Sequence, residues 1–169
     1  MTAAVRLRLR DLTSADAARI AEITRATGVF RSEELAIADE VFRDCVAAEG
    51  PSGGMTVVRP YYALGADLDG ILMGWVCWGA TPCTEGTWDL YWLAVDPHAQ
   101  GHGVGTSLVE EMERRLASQA RLISVDTSGR PDYDPTRRFY AARGYRAVAV
   151  VPDFYAPGDD QVIFTKKVG

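Results

Sequence analysis

The chain is predicted to fold as an α/β, or α+β, domain with a mixed central sheet of about six to seven strands flanked by about four helices. Three observations predict it. Two runs rich in aromatic and aliphatic residues, Tyr61–Leu64 and Ile71–Trp78, are separated by a turn around Asp67, Asp69 and Gly70 and read as an antiparallel hairpin. From Gly86 onward, strand patterns alternate with helical ones, which requires crossovers between strands. A glycine-rich loop, Gln100-Gly101-His102-Gly103-Val104-Gly105-Thr106, lies between the end of a strand and the start of a helix.

The elements follow in order. Val5, Leu7 and Leu9 alternate with Arg6, Arg8 and Arg10, which is a strand pattern and lacks the continuous apolar region of a secretion signal. Thr13, with Asp16 three residues later, can cap a first helix carrying Ala17, Ile20 and Ile23. Thr27–Arg31 interrupts it, and Ser32 opens a second helix striped by Leu35, Ala38, Phe42, Cys45 and Val46 that closes near Gly50. Gly50–Gly54 is a flexible connection, and strands resume from Val57. After the hairpin, Gly86–Val95 alternates Trp88, Leu90 and Trp92 with Asp89, Tyr91 and Leu93, so one face carries a carboxylate.

Past the glycine loop, Val104, Leu108, Met112 and Leu116 stripe a third helix supported by Glu110–Arg114 and Glu111–Arg115 pairs. Leu122–Val125 is a short buried strand, and Pro135–Arg143 is a fourth helix stopped by Gly144. Ala147–Val151 and Gln161–Lys166 are the last strands, with Pro152–Asp160 as a long connection between them.

At 169 residues, 47% of them hydrophobic, the chain is predicted to be one domain, 1–169, with ample core material. A formal charge of −5 opposes general binding to nucleic acid. Three cysteines, Cys45, Cys77 and Cys83, in no metal-binding or disulfide spacing, fit a cytoplasmic protein, and no run approaches the roughly 20 apolar residues of a membrane span. His98 and His102 are four apart, but across a turn and a glycine, and no third ligand is evident, so no metal is expected.

The chemistry resides in the glycine loop. Backbone N–H groups converge at such a helix start, the helix dipole favours an anion there, and glycine lets phosphate oxygens approach the backbone. The loop follows the fourth strand instead of opening the chain, which disfavours a dinucleotide fingerprint, and it lacks the Gly-Lys-Ser/Thr ending of a nucleotide-hydrolysing loop. Gln100, Gly103 and Gly105 match a Gln/Arg-x-x-Gly-x-Gly/Ala loop; Leu93-Ala94-Val95-Asp96-Pro97 precedes it, and Arg138-Phe139-Tyr140 with Gly144-Tyr145 follows. On these motifs, and in element order over nearly its whole length, the chain resembles the GNAT superfamily of acyl-CoA-dependent N-acyltransferases.

That resemblance implies acetyl-CoA as cofactor. Backbone groups of Leu93, Ala94 and Val95 would pair with pantetheine or meet the oxyanion, and Gln100 to Thr106 would hold the pyrophosphate. Thr136 and Phe139 would complete the cofactor site, and Tyr140 would protonate the departing thiolate. Asp89 would either take a proton from the acceptor amine, through water, or bind its charge. Tyr91, Phe154, Tyr155 and Asp159 are candidates for the acceptor pocket, which the acidic balance suits to a small cationic amine. Many members carry an asparagine seven residues before the tyrosine; here Tyr133 stands there, with Asp134 or Thr136 as substitutes. A peptide or protein acceptor, and a non-catalytic acyl-CoA sensor, are the alternatives. Apolar residues on the last strands are compatible with a homodimer.

Overall fold

A computed structural model describes residues 6–47 and 61–168. Its elements run β1 (Leu7–Asp11), α1 (Ala17–Ala26), α2 (Ser32–Val46), β2 (Tyr62–Leu68), β3 (Ile71–Ala80), β4 (Thr87–Val95), α3 (Val104–Leu116), β5 (Leu122–Ser128), α4 (Asp134–Ala142), β6 (Arg146–Ala156) and β7 (Asp159–Lys167). The strands form one seven-stranded mixed sheet in the order β1-β2-β3-β4-β5-β7-β6. The expected fold class is therefore observed. The predicted connection at Gly50–Gly54, the onset of strand at Val57 and the start of the first strand before Arg6 lie outside the described residues.

Packing divides the chain into two compact units, Met1–Gly79 with Trp92–Arg114 and Ala80–Tyr91 with Arg115–Gly169. In the first unit, β1, β2 and β3 pair antiparallel, and the β2–β3 turn closes on Asp69 and Gly70, both at positive φ. Asp67, expected in the turn, is instead a strand residue that takes both guanidinium hydrogen bonds of Arg10 Nε. Arg10 also grips Asp16, which reaches back to the Thr13 N–H and folds a single 3-10 turn ahead of α1. Adjacent residues of β3 serve opposite faces of the sheet, as its two-residue period dictates. Trp75 and Cys77 enter a cluster with Ile20, Ile23, Ala38, Phe42 and Cys45 from α1 and α2, and Trp75 Nε1 donates to Thr24 Oγ1. A Cβ at Gly74 would instead meet Val104 and Leu108 of α3.

In the second unit, β4 pairs parallel with β5 over Thr87–Leu90 and Leu122–Val125. β5 and β6 then flank β7, both antiparallel to it. α4 packs its Tyr140 ring against Tyr145 and Phe164. The long connection expected over Pro152–Asp160 is corrected: β6 runs on to Ala156, β7 starts at Asp159, and only Pro157-Gly158 turns the chain. Pro152 and Asp153 read as loop residues because a proline cannot donate to a ladder, but β6 is an edge strand, where a proline is tolerated, and its pairing with β7 shifts register between Val151 and Ala156. Asp153, at positive φ, accepts a hydrogen bond from the Gly158 N–H and so helps close that hairpin.

Candidate active site

The glycine loop belongs to the first unit. Asp96 caps a short 3-10 turn, Pro97–Ala99, by accepting from the His98 N–H at 3.0 Å, and buried Ala99 seats it. Gln100 then leads into the loop, where Gly101 and Gly103 adopt φ of +80° and +79°. L side chains resist that region, and a Cβ at either glycine would meet nothing within 4 Å. The space above both is open to a ligand. The first α3 hydrogen bond runs from Ser107 N–H to Gly103 C=O, so the N–H groups of Gly103, Val104 and Gly105 have no acceptor within the helix. They point where an anion gains most from the dipole. Val104 contributes its backbone only, because its side chain is buried beneath Gly74.

Around the loop, Leu93 and Val95 are half-buried and Ala94 is packed into the α1/α2 cluster. His98 pairs with Asp96 and His102 with the Gln100 carbonyl, so each imidazole has its own local partner.

The second unit holds the side chains singled out for chemistry. Tyr140 is buried at 3% exposure, edge-on to Phe139 and Tyr145 and tilted against Phe164. Its hydroxyl makes no hydrogen bond among the described residues. Burial, reinforced by Tyr133 and opposed by Arg143, pushes its pKa well above that of free tyrosine, which keeps it protonated at neutral pH. Phe139 supports the Arg143 guanidinium, 3.4 Å above its ring, and Tyr133 lies 5.4 Å beneath Arg130. Thr136 is half-buried on α4, and Asp134 is paired with Arg137.

Val125 and Phe164 are opposite one another in the β5–β7 ladder and so share the sheet face that Tyr140 covers. Asp126, one residue on, lies on the other face. Asp89 pairs with Ser124, two residues before Asp126, and belongs to that second face as well. There Asp89 accepts from Thr81 Oγ1 at 2.7 Å and from the Tyr91 hydroxyl at 3.4 Å, while Asp126 accepts from Gln161 Nε2 at 2.9 Å. Burial, then the charge of Asp89, raises the Asp126 pKa, against the Gln161 hydrogen bond. Asp126, Thr81 and Gln161 escaped the sequence reading because their spacing in the chain carries no motif; only the strand register brings them beside Asp89.

Of the remaining acceptor candidates, Phe154 is 55% exposed on β6 and stands edge-on to Tyr155 at 5.0 Å. Asp159 is buried, accepts a 2.5 Å hydrogen bond from Ser128 Oγ and lies 3.9 Å from Arg130.

The sequence profile of the Acetyltransferase (GNAT) family matches residues 23–145. The chain belongs to the GNAT family. An N-acetyltransferase of Methanocaldococcus jannaschii, itself uncharacterized, is 27% identical over 141 residues, spanning 82% of this chain and 88% of that protein. A crystal structure assigned to the GNAT acetyltransferases, from Desulfovibrio desulfuricans, is 37% identical with a TM-score of 0.83, covering 98% of this chain and 100% of the other. The PaiA N-acetyltransferase of Thermoplasma acidophilum, solved with coenzyme A, shares the fold at TM-score 0.69 and 17% identity, over 96% of this chain and 99% of that one. The GNAT protein described here is accordingly an acyl-CoA-dependent acetyltransferase.

Proposed function

We propose that this GNAT enzyme moves an acetyl group from acetyl-CoA to the primary amine of a small cationic acceptor, by direct attack, with Tyr140 as general acid. Gln100 to Thr106 hold the pyrophosphate through backbone N–H groups, Leu93 to Val95 offer strand backbone to the pantetheine arm and the oxyanion, and Thr136 and Phe139 are further cofactor contacts in this reading. The neutral amine forms a bond to the thioester carbon, the C–S bond breaks, and the thiolate takes the Tyr140 proton. The proton released by the amine leaves through Asp89 or a water bound to it, and solvent restores Tyr140.

The Tyr140 hydroxyl carries this mechanism. A ring packed on several sides fixes the oxygen, and the raised pKa keeps the proton in place until a thiolate appears. Asp89, with Tyr91 donating to it and Asp126 nearby, gives the opposite sheet face the carboxylate that a cationic amine requires. Phe154 and Tyr155 supply apolar surface for its stem. We read the chain as one catalytic domain acting in the cytoplasm, in keeping with cysteines in no disulfide spacing.

The test is amine-dependent release of CoA across a panel of polyamines, amino sugars, amino acids and peptides. Tyr140→Phe is expected to lower kcat about 100-fold while leaving the acetyl-CoA Kd unchanged. Unchanged turnover removes Tyr140 from the mechanism, and turnover confined to peptides replaces the small-amine acceptor with a protein one.

A further inference from the structure

We infer that Arg19 is a positioning residue for the cofactor loop: from α1 it locks Asp96, and through Asp96 the 3-10 turn that aims Gln100 to Gly105. This rests on the reading that the loop holds the CoA pyrophosphate.

All parts of the lock lie in the first unit. Asp96 sits between β4 and the turn, and its five polar contacts divide cleanly. Its backbone N–H donates to the Met73 carbonyl at 2.7 Å, and its carbonyl accepts from Ala99 N–H at 2.8 Å. Carboxylate Oδ1 accepts from the His98 N–H and Nδ1, which shapes the turn from within. Oδ2 is left for Arg19, whose Nη2 reaches it at 2.8 Å. The same guanidinium donates from Nε to the Leu72 carbonyl at 2.9 Å and touches Met73 Sδ. One side chain on α1 thus pins both the start of β3 and the entrance to the glycine loop.

Two features argue that this serves the loop and not α1 alone. The Asp96 side chain is 8% exposed, so its charge is held where an ion pair is little screened, and removal of one partner strands the other. The loop beyond it is set by two positive-φ glycines, which impose no direction of their own; the aim of the N–H groups must come from the segment that enters it. A planar guanidinium can hold Leu72 O and Asp96 Oδ2 together, whereas a lysine ammonium on a flexible stem cannot.

The test compares wild type with Arg19→Gln, Arg19→Lys, Asp96→Asn, the Arg19→Gln/Asp96→Asn double variant, Glu22→Gln and Gly103→Val by calorimetric titration with CoA, at a temperature where circular dichroism shows each to be folded. Asp96→Asn is the informative member, since its amide oxygen can still accept from His98 N–H while its NH₂ faces Arg19. Arg19→Gln, Arg19→Lys and Asp96→Asn are expected to raise the CoA Kd about tenfold. The double variant should be no worse than either single one, because both break the same contact. Glu22→Gln, which removes only the exposed outer partner of Arg19, should bind as wild type. Wild-type affinity in folded Arg19→Gln and Asp96→Asn, or losses that add in the double variant, overturns the lock while the Gly103→Val loss upholds the loop. A wild-type protein that binds no CoA removes the loop reading and the lock with it.

Discussion

At the scale of single residues, conformation and charge set the expectations. Gly103 has room for a side chain but not the φ for one, so Gly103→Ala separates the two effects. The strain costs about 1 kcal/mol of stability, seen as a small drop in Tm. In the proposed site the added methyl would stand where phosphate oxygens approach, so CoA affinity should fall by a larger factor in titration. Asp16 and Asp96 make a second case. Hydrogen bonds from Arg10 hold the Asp16 carboxyl below its ordinary range; at Asp96 burial pushes the other way but is outweighed by His98 and Arg19. A depressed folded pKa contributes stability that is complete above the unfolded value, about 3.9, and is lost as pH falls through the lower folded one. Denaturant midpoints should therefore decline below pH about 4, and Asp16→Asn should flatten that decline. Tyr140 has the opposite sense: its raised pKa keeps the folded form protonated, so stability falls as pH rises past the ordinary tyrosine value of about 10.

At the scale of elements, the loop is only as well placed as the strand and helix that bracket it. α3 sits against β3 because Gly74 has no side chain: a Cβ there would lie 2.8 Å from Val104 Cγ1 and 3.2 Å from the Ala94 carbonyl. Gly74→Ala must push α3 outward, with an expected loss of about 1–3 kcal/mol in chemical denaturation and weaker CoA binding, since Val104 is the first residue of that helix. The elements also show where sequence patterns are reliable. The apolar stripe Val104, Leu108, Met112 and Leu116 is fully buried, as its helical period requires. Arg114 pairs with Glu111, three residues back. The full extent of the β6–β7 hairpin was not legible, because Pro152, Asp153 and Gly158 are turn formers by propensity, and the ladder with β7 skips Pro152 to Tyr155 and resumes only at Ala156.

At the scale of the whole molecule, a net charge of −5 and carboxylates on the face of Asp89 would make attraction of the proposed cationic acceptor partly electrostatic. If the acceptor is cationic, its KM should rise several-fold between low salt and about 0.5 M salt, as the Debye length shrinks below the reach of those charges, while the KM for acetyl-CoA should respond differently. A steady-state series in sodium chloride measures both.

The sequence by itself determined the order of strands and helices, the glycine loop and the tyrosine motif. Each is written in contiguous residues whose spacing, turn chemistry or apolar period acts locally. Only the tertiary structure decided that Thr81 and Asp126 stand beside Asp89, that Gln161 donates to Asp126, that Asp159 is buried, and that Arg19 holds Asp96. Those relations join residues on separate elements, such as Arg19 on α1 and Asp96 at the end of β4, and the strand register and packing that create them exist only once the core has formed.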